Sequence, residues 1–313
     1  MRNPMGMRNQ YTADGVDAWG RGPMRALFLS LWLLLALPAL AGHDVSAMRK
    51  QAEFSMLVEG EVVIDPDGKV RSHTLDPAAH LTDDLTGFID KAVAQWRFHP
   101  VKVDGNVVRA RVPMSLRLVI SRADDESYTL RIASTYFGAS DAEASAGKTD
   151  GDAALPRAQR LKPPLYPREA LRLGAKGTVY LIVQMGLDGK VVAVDAEQVN
   201  LRVVGTSQQM TSMRKLLADA AMRAARGWTF APPARGTEGD RDGWLVRVPV
   251  TYMLVGDKKP RPGEWEAYIP GPRNLDIPFA REQLRVAGNP DALPGDGAYS
   301  LEQGARLLGP PAT

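Results

Sequence analysis

The stretch Gly177-Thr-Val-Tyr-Leu-Ile-Val-Gln-Met-Gly-Leu-Asp-Gly-Lys-Val191 carries a clear structural signal. Apolar side chains at Val179, Leu181 and Val183 alternate with other residues, and Asp188-Gly189 follows before a second apolar run. Alternation indicates a strand with one buried face, and Asp-Gly favours a tight turn because glycine adopts positive φ at little cost. The stretch therefore predicts a β-hairpin.

A helix and a third strand are predicted after this hairpin. Apolar residues recur at spacings of three and four from Met213 to Trp228, with Thr211 or Ser212 as the expected N-cap. From Trp244 to Leu254 apolar residues alternate with Arg247, Pro249 and Thr251. This pattern predicts a half-buried antiparallel strand with a polar face. Proline has no N–H for a sheet ladder, so Pro249 indicates an edge strand.

The same order of motifs occurs earlier in the chain. Asp67-Gly68 is followed by a helical pattern from Leu85 to Trp96, with Thr82 as its expected cap, and then by a strand that contains Pro113. We expect Trp96 and its counterpart Trp228 to anchor the two cores, and Pro113 to mark a second edge strand. The repetition predicts an α+β protein with two tandem domains, each a small antiparallel sheet packed on one or two helices.

Residues of about 160–255 resemble the C-terminal domain of the TonB family. The motifs that carry the resemblance are Tyr166-Pro167 followed by Ala170 and Gly174, the hairpin described above, Ala220-Ala221, Trp228-Thr-Phe-Ala-Pro232, and Val248-Pro249-Val250-Thr-Tyr252. Residues of about 54–120 look like a degenerate second copy without the Tyr-Pro segment. The resemblance implies a two-helix, three-stranded fold in the periplasm. It also implies that the final strand pairs with an extended peptide, as family members pair with the TonB box of outer-membrane receptors.

The predicted function is therefore a periplasmic protein-binding module that adds a partner segment to its last strand. The candidate partner-binding residues are Tyr166, Pro167, Trp244, Val246, Arg247, Val248, Pro249, Val250 and Tyr252. Pro113 suggests a second, weaker docking strand. One alternative is a structural scaffold in which a loop, the tail or the twin domain covers the edge, and self-association through edge strands is another.

The N-terminal sequence predicts export. An apolar run at 26–41 follows Arg25 and ends in Ala39-Leu40-Ala41, a pattern that signal peptidase cleaves. We interpret 24–41 as a signal peptide, and 1–23 as an extension that a mis-assigned start would explain. The alternative is an uncleaved inner-membrane anchor that leaves the protein facing the periplasm.

The remaining segments set this chain apart from a typical TonB energy transducer. The apolar run has no His one turn after Ser30, and the long Pro-rich rod of a transducer is missing. Domains at 42–136 and 158–256 are joined by a flexible linker at 137–157, and Leu165 lies where family members can carry a receptor-contacting Gln. An anchored energy transducer is therefore the alternative function. A Pro/Gly-rich tail at 257–313 either wraps the second domain or is a disordered contact segment.

Composition argues against several other classes. Lys plus Arg exceed Asp plus Glu by 39 to 36, which does not indicate a nucleic-acid-binding protein. With no Cys and four scattered His, neither a thiol nucleophile nor a metal site is expected. The segment Ala142–Thr149 has a relaxed P-loop spelling, but its acidic Ala/Ser context does not favour nucleotide binding. We expect no enzyme activity and no cofactor.

Overall fold

The computed structural model describes residues 44–103, 105–122, 127–139, 157–231, 243–295, 297–301 and 305–309. The chain divides into two compact units, Met1–Asp44 and Val45–Thr313, and the elements below belong to the second unit except for Asp44, the first residue of α1. The predicted signal peptide, the P-loop spelling and most of the predicted linker lie outside the described residues. In the described parts of the chain, no helix is long and apolar enough to cross a bilayer.

The described residues form mostly strands, with a few helices. The strands are β1 Glu53–Ile64, β2 Val70–Leu75, β3 Lys102–Val103, β4 Asn106–Val107, β5 Ala110–Arg122, β6 Tyr128–Phe137, β7 Arg157–Arg160, β8 Gly177–Met185, β9 Val191–Leu201, β10 Thr229–Ala231, β11 Trp244–Tyr252, β12 Trp265–Tyr268 and β13 Tyr299–Ser300. The helices are α1 at 44–50, α2 Asp83–Gln95, α3 Arg168–Arg172, α4 Ser207–Ala225 and α5 Arg281–Val286. Short 3-10 turns form at Pro77–Ala79 and Pro290–Ala292.

Two antiparallel sheets organise this α+β structure. The first sheet has the order β12-β1-β5-β6, with β2 also paired to β1. The second sheet has the order β13-β11-β8-β9. Within them, β5-β1-β2 and β11-β8-β9 have the same connectivity: a hairpin, a helix, and a strand that returns beside the first strand of the hairpin. We call residues 53–137 the first half and residues 157–254 the second half.

Both predicted hairpins form, and their turns make the same contact. Gly68 has φ 80° and Gly189 has φ 75°, in the left-handed region that glycine favours. The Phe98 N–H donates to the Gly68 carbonyl at 2.8 Å, and the Phe230 N–H donates to the Gly189 carbonyl at the same distance. In each half the chain that leaves the helix is therefore tied to the hairpin turn.

One helix covers the outer face of each sheet. Ile89, Ala92 and Val93 of α2 are buried against the first sheet, with Thr82 capping the helix as predicted. The larger α4 packs on the second sheet. Its N-cap is Thr206, which forms a capping box with Gln209, so the prediction of Thr211 or Ser212 was wrong. The reciprocal bonds of the box satisfy backbone N–H groups one turn earlier than the apolar pattern suggests.

Trp96 and Trp228 are each 3% exposed and lie in the two cores, as predicted. The two indoles nevertheless differ in their hydrogen bonding. The Trp228 Nε1–H donates to the Lys162 carbonyl at 2.9 Å, whereas the buried Trp96 Nε1 has no hydrogen-bond partner in the described part of the chain.

The inner faces of the sheets approach each other across a buried polar layer. Arg117 of β5 and Arg247 of β11 are only 8% and 4% exposed. Arg117 donates to Glu266 of β12, which also accepts from Arg202 just after β9. The prediction that β11 is only half-buried was wrong, because its polar face is buried as well. Alternation places the polar residues on one face, but here that face meets a second polar face.

The tail links both sheets. It supplies β12 to the edge of β1 and β13 to the edge of β11, and Leu307 forms a bridge with Phe98. Between these strands the tail forms the short helix α5. The tail's described residues are therefore ordered, and they contact the first half as well as the second.

Pro113 does not mark an edge strand, and that prediction was wrong. β5 lies between β1 and β6, and Pro113 pairs with Glu61 of β1. The β6 ladder begins one residue later, at Met114 and Phe137, and the Pro113 carbonyl accepts the Gly138 N–H at 3.0 Å. Pro113 therefore lies opposite the end of β6, where no ladder hydrogen bond from its nitrogen is needed. A second docking strand at Pro113 is not available, because β6 occupies that side.

Candidate functional site

The strand predicted to bind a partner is β11, and its two sides differ. On one side it pairs with β8 over its whole length, from Trp244 opposite Met185 to Tyr252 opposite Gly177. On the other side β13 pairs only with Val246 and Arg247. No described strand pairs with this outer side from Val248 to Tyr252, so the outer edge of β11 is partly covered.

Few main-chain groups remain on the uncovered part of this edge. The Leu301 N–H donates to the Leu245 carbonyl at 3.3 Å, so residue 245 faces outward. In an antiparallel strand alternate residues bond to the same neighbour, which places residues 247, 249 and 251 on the outer side as well. Since Pro249 has no N–H, the uncovered edge offers its carbonyl and the backbone groups of Thr251.

The side of β11 that faces α4 is core. Val246, Val248 and Val250 are buried there, and the Tyr252 hydroxyl donates to the Leu217 carbonyl of α4 at 3.1 Å. Burial raises the pKa of Tyr252 well above its ordinary value, so the phenol stays protonated and donates. Trp244 is partly buried against the same core. The side chains of these predicted site residues therefore belong to the core, and by the same alternation their backbone groups face β8 rather than the outer edge.

Tyr166 and Pro167 lie at the end of β11. The Tyr166 ring packs edge-on against Tyr252, with centroids 5.4 Å apart, and its hydroxyl donates to the Ala175 carbonyl. Partial burial raises the pKa of Tyr166. Pro167 is the N-cap residue of α3. Both residues fix the strand end from the helical side, while neighbouring Leu165 is 88% exposed.

Arg247 is held inside the polar layer. Its Nε and Nη2 donate to the two carboxylate oxygens of Glu197 at 2.7 and 2.8 Å. Glu197 is fully buried and also accepts from Arg273 Nε at 2.6 Å. Arg273 Nη2 donates to the carbonyls of Ala287 and Gly288, each at 3.0 Å, and so connects the end of α5 to the second sheet. The Arg247 side chain therefore stabilises the fold and is not presented to a partner.

A partly open cleft lies beside the uncovered part of β11. Pro249 and Thr251 line one side, and residues of the first sheet and the tail line the other. Asp291 lies in its wall, where it accepts from the Asn200 amide and, at 3.1 Å, from the Tyr268 hydroxyl. Burial raises the pKa of Asp291, and Arg117 opposes that shift.

Sequence reasoning missed the tail residues at this site. Tyr299 is 1% exposed and pairs with Arg247, and Leu301 is 6% exposed beside Leu245. The alternation in Ala298-Tyr299-Ser300-Leu301 was the available signal, but four residues are too few to predict a strand. His73, one of the four scattered histidines, contacts Asp90 of α2 at 2.8 Å.

Comparison with known proteins identifies the second half. Residues 162–254 match the model of the Gram-negative bacterial TonB protein C-terminal family. Protein TonB of Xanthomonas campestris pv. campestris (strain B100) is 35% identical over 96 residues, which is 31% of this chain and 37% of that protein. Protein tonB2 of Pseudomonas aeruginosa is 34% identical over 91 residues, which is 29% of this chain and 28% of that protein.

The chain thus spans little more than a third of the Xanthomonas protein and less than a third of the Pseudomonas protein. No solved structure matches the chain. The matched region starts just after β7 and ends just after β11, so it contains the α3 segment, the hairpin, α4 and β11. Residues 162–254 are a TonB C-terminal domain, and through this domain the chain is homologous to TonB proteins.

Proposed function

We propose that the chain is a non-enzymatic periplasmic protein-binding module of the TonB type. Its outer β11 edge would pair with an extended segment of an envelope partner, such as a TonB-dependent receptor. The observation that supports this function is β13: a segment from outside the family domain already pairs with β11 at Val246 and Arg247. The edge is therefore able to accept an added strand.

The affinity of such pairing rests on main-chain hydrogen bonds. Each contributes about 0.5–1.5 kcal/mol net, so an edge with few outward groups binds weakly unless side chains add to it. Tyr166 and Pro167 would set where the partner segment ends, because they fix the chain beside Tyr252. Trp244 lies at the opposite end of β11.

We also infer that the first half is a degenerate copy of the family domain. The shared connectivity and the matching contacts of Gly68 and Gly189 support this inference. The first half lacks the Tyr-Pro segment, and β6 covers its strand β5. The copy would therefore have a structural role beside the partner-binding domain.

The N-terminal sequence supports the proposed periplasmic location. Export through 24–41 with cleavage after Ala41 would release the protein into the periplasm. N-terminal sequencing of the protein purified from the cell envelope tests this. A chain that still begins at or before Met24 and needs detergent would favour the anchored alternative, and with it a role in energy transduction.

A structural envelope scaffold is the second candidate function. The polar layer between the sheets favours it, because Arg117, Glu266 and Arg202 link the first half, the tail and the second half. In a scaffold the tail would cover β11 permanently. The two functions differ in whether this edge exchanges its occupant.

The test of the proposed function is titration of the labelled full chain with synthetic N-terminal segments of TonB-dependent receptors. We expect amide shifts from Leu245 to Tyr252. Thr251→Pro removes one outward N–H and should weaken binding severalfold, whereas the matched Thr251→Ala keeps that N–H and should bind normally. Shifts confined to α4 or the Asp188-Gly189 turn would contradict β11 pairing. If no segment causes a shift, the structural scaffold becomes the favoured function.

A further inference from the structure

The tail segment Ala298-Tyr299-Ser300-Leu301 lies along β11 with alternating side-chain directions. Tyr299 pairs with Arg247 and Ser300 with Val246, so Tyr299 shares the inner face of the sheet with Arg247. Leu301, two residues on, points to the same face as Tyr299. Ala298 belongs to the core cluster on the opposite face, under α4.

Two apolar sockets receive the inner-face side chains. Tyr299 packs with Tyr180 and Leu293 and meets the ring of Tyr136 edge-on, with centroids 5.4 Å apart. Its hydroxyl donates to the Pro294 carbonyl. Leu301 occupies a second cluster whose other buried members are Ile182, Leu245, Ile277, Ala280 and Leu284. Each socket is formed partly by the family domain and partly by the tail.

Side chains hold this segment more than its backbone does. The β13 ladder contains two residue pairs, and one further bond joins Leu301 to Leu245. By contrast, β8 pairs with β11 over all nine residues of that strand. The segment can therefore leave β11 without breaking a long ladder, provided that the two sockets are filled again.

We propose that residues 298–301 are an internal occupant of the β11 edge that a partner segment must displace. A displacing segment would carry an aromatic residue and, two positions later, an aliphatic one. This proposal rests on the proposed function, because it concerns regulation of the same edge. The tail segment then competes with the partner for β11, and the sequence of the tail segment indicates which side chains the partner carries.

Competition follows from the number of free backbone groups. While β13 is in place, a partner reaches only the Pro249 carbonyl and the Thr251 backbone. Removal of the tail segment frees the outward groups of residues 245 and 247 as well. A tethered segment competes at a high effective concentration, so the apparent affinity of a free segment is reduced by the small fraction of chains with an open edge.

A disulfide lock tests the proposal directly. The chain has no cysteine, so Val246→Cys/Ser300→Cys places one pair of thiols on directly opposed residues. They form the non-hydrogen-bonded pair next to Arg247 and Tyr299, where side chains are closest. Phe54→Cys/Ala267→Cys is the matched control, because it ties the other tail strand, β12, to β1.

The first probe is a labelled synthetic peptide with the sequence of residues 294–304. The reduced Val246→Cys/Ser300→Cys chain should bind it at least tenfold more tightly than the oxidised chain, while oxidation of the control pair should leave binding unchanged. Replacing Tyr or Leu in the peptide by Ala should remove most of the binding. Equal binding to the oxidised and reduced chains, or indifference to both replacements, would overturn the proposal.

A second variant weakens the hold of the tail segment on β11. Tyr299→Ala/Leu301→Ala empties both sockets in the full chain and should bind the peptide at least tenfold more tightly than the natural chain. The exposed Leu308→Ala is its control and should have no effect. Since the disulfide lock is read in one protein by changing redox state alone, it stays decisive if the socket variant fails to fold.

Receptor segments distinguish this proposal from the proposed function. If the peptide of residues 294–304 binds the reduced chain and receptor segments do not, the internal occupant is supported and the assignment of a receptor as partner is contradicted. If receptor segments bind the oxidised and the reduced Val246→Cys/Ser300→Cys chain equally well, the binding function is supported and the proposed internal occupant is contradicted.

Discussion

β5 and β11 occupy the same place in the two halves of the molecule. Each follows the helix, pairs with the first strand of its hairpin, and carries the sequence Arg-Val-Pro. β5 is enclosed by β6, which pairs with it from Met114 to Arg122. β11 has a two-residue strand in that position. The comparison teaches that strands of the same connectivity can be enclosed or partly uncovered, depending on what the chain adds to their outer side.

The arginine of Arg-Val-Pro also differs between the halves. Arg111 forms an exposed ion pair with Glu61 at 3.1 Å, and its side chain is 70% exposed. Arg247 forms a buried, two-bond contact with Glu197, and its side chain is 5% exposed. The same residue type therefore serves as a solvated surface group in one half and as a fixed part of the polar layer in the other.

The largest expected effect comes from removing these arginines. Arg247→Ala leaves Glu197 buried with only Arg273, so we expect a loss near the lower end of about 3–5 kcal/mol. Arg111→Ala removes an exposed pair and should cost about 0–1 kcal/mol. Denaturant unfolding of the full chain measures both. Similar losses for the two variants would mean that the two halves do not differ in this respect.

A smaller difference is expected between the two core tryptophans. Trp228→Phe loses the bond to Lys162, whereas Trp96→Phe loses no hydrogen bond to a described residue. Both variants lose similar volume, so Trp228→Phe should be the more destabilising by about 1 kcal/mol or more. Thermal and denaturant unfolding provide the measurement. If Trp96→Phe proves the costlier change, the contact assigned to Trp228 contributes little.

The pH dependence of the polar layer is a third prediction. Burial raises the pKa of Asp291 above its ordinary value of 3.8, so the folded state favours the protonated carboxyl. The stability contributed by this group is fully present below pH 3.8 and is lost as pH rises through the folded-state pKa. Asp291→Asn should therefore gain stability relative to the natural chain on going from acid to neutral pH. A constant difference between the two proteins across this range would contradict the prediction.

The smallest effect is expected at the hairpin turns. Bonds from Lys69 and Lys190 lower the pKa of the exposed Asp67 and Asp188. Asp67→Asn and Asp188→Asn should each lower the unfolding midpoint slightly at neutral pH and by equal amounts, and the effect should fade as pH falls through the carboxylate pKa. Unequal shifts would show that the turns are not equivalent.

Periodicity predicted the elements that bury one clear apolar face. The hairpins, α2, α4 and the strands β5 and β11 follow from alternation, helical spacing and Asp-Gly turns. The N-cap of α4 was also predictable, since Thr206 and Gln209 have the spacing of a capping box. The family resemblance of the second half is confirmed over 162–254.

Other features depend on what a segment contacts. β12 and β13 are too short to show a pattern, and their formation requires the edges of β1 and β11. Alternation cannot tell a polar face in water from one buried against a second polar face, so the burial of Arg247 was not predicted. Pro113 was misread because a missing N–H excludes pairing at one residue, and the strand beside it begins one residue later.

Amide hydrogen exchange of the full chain tests the difference between the two strands most directly. Exchange reports local opening, and a two-residue ladder opens far more often than a long one. The account predicts that the amides of Arg247, Tyr299 and Leu301 exchange much faster than those of β5 between Met114 and Ile120. Equal protection at both places would contradict it, because the tail would then be a permanent part of the second sheet.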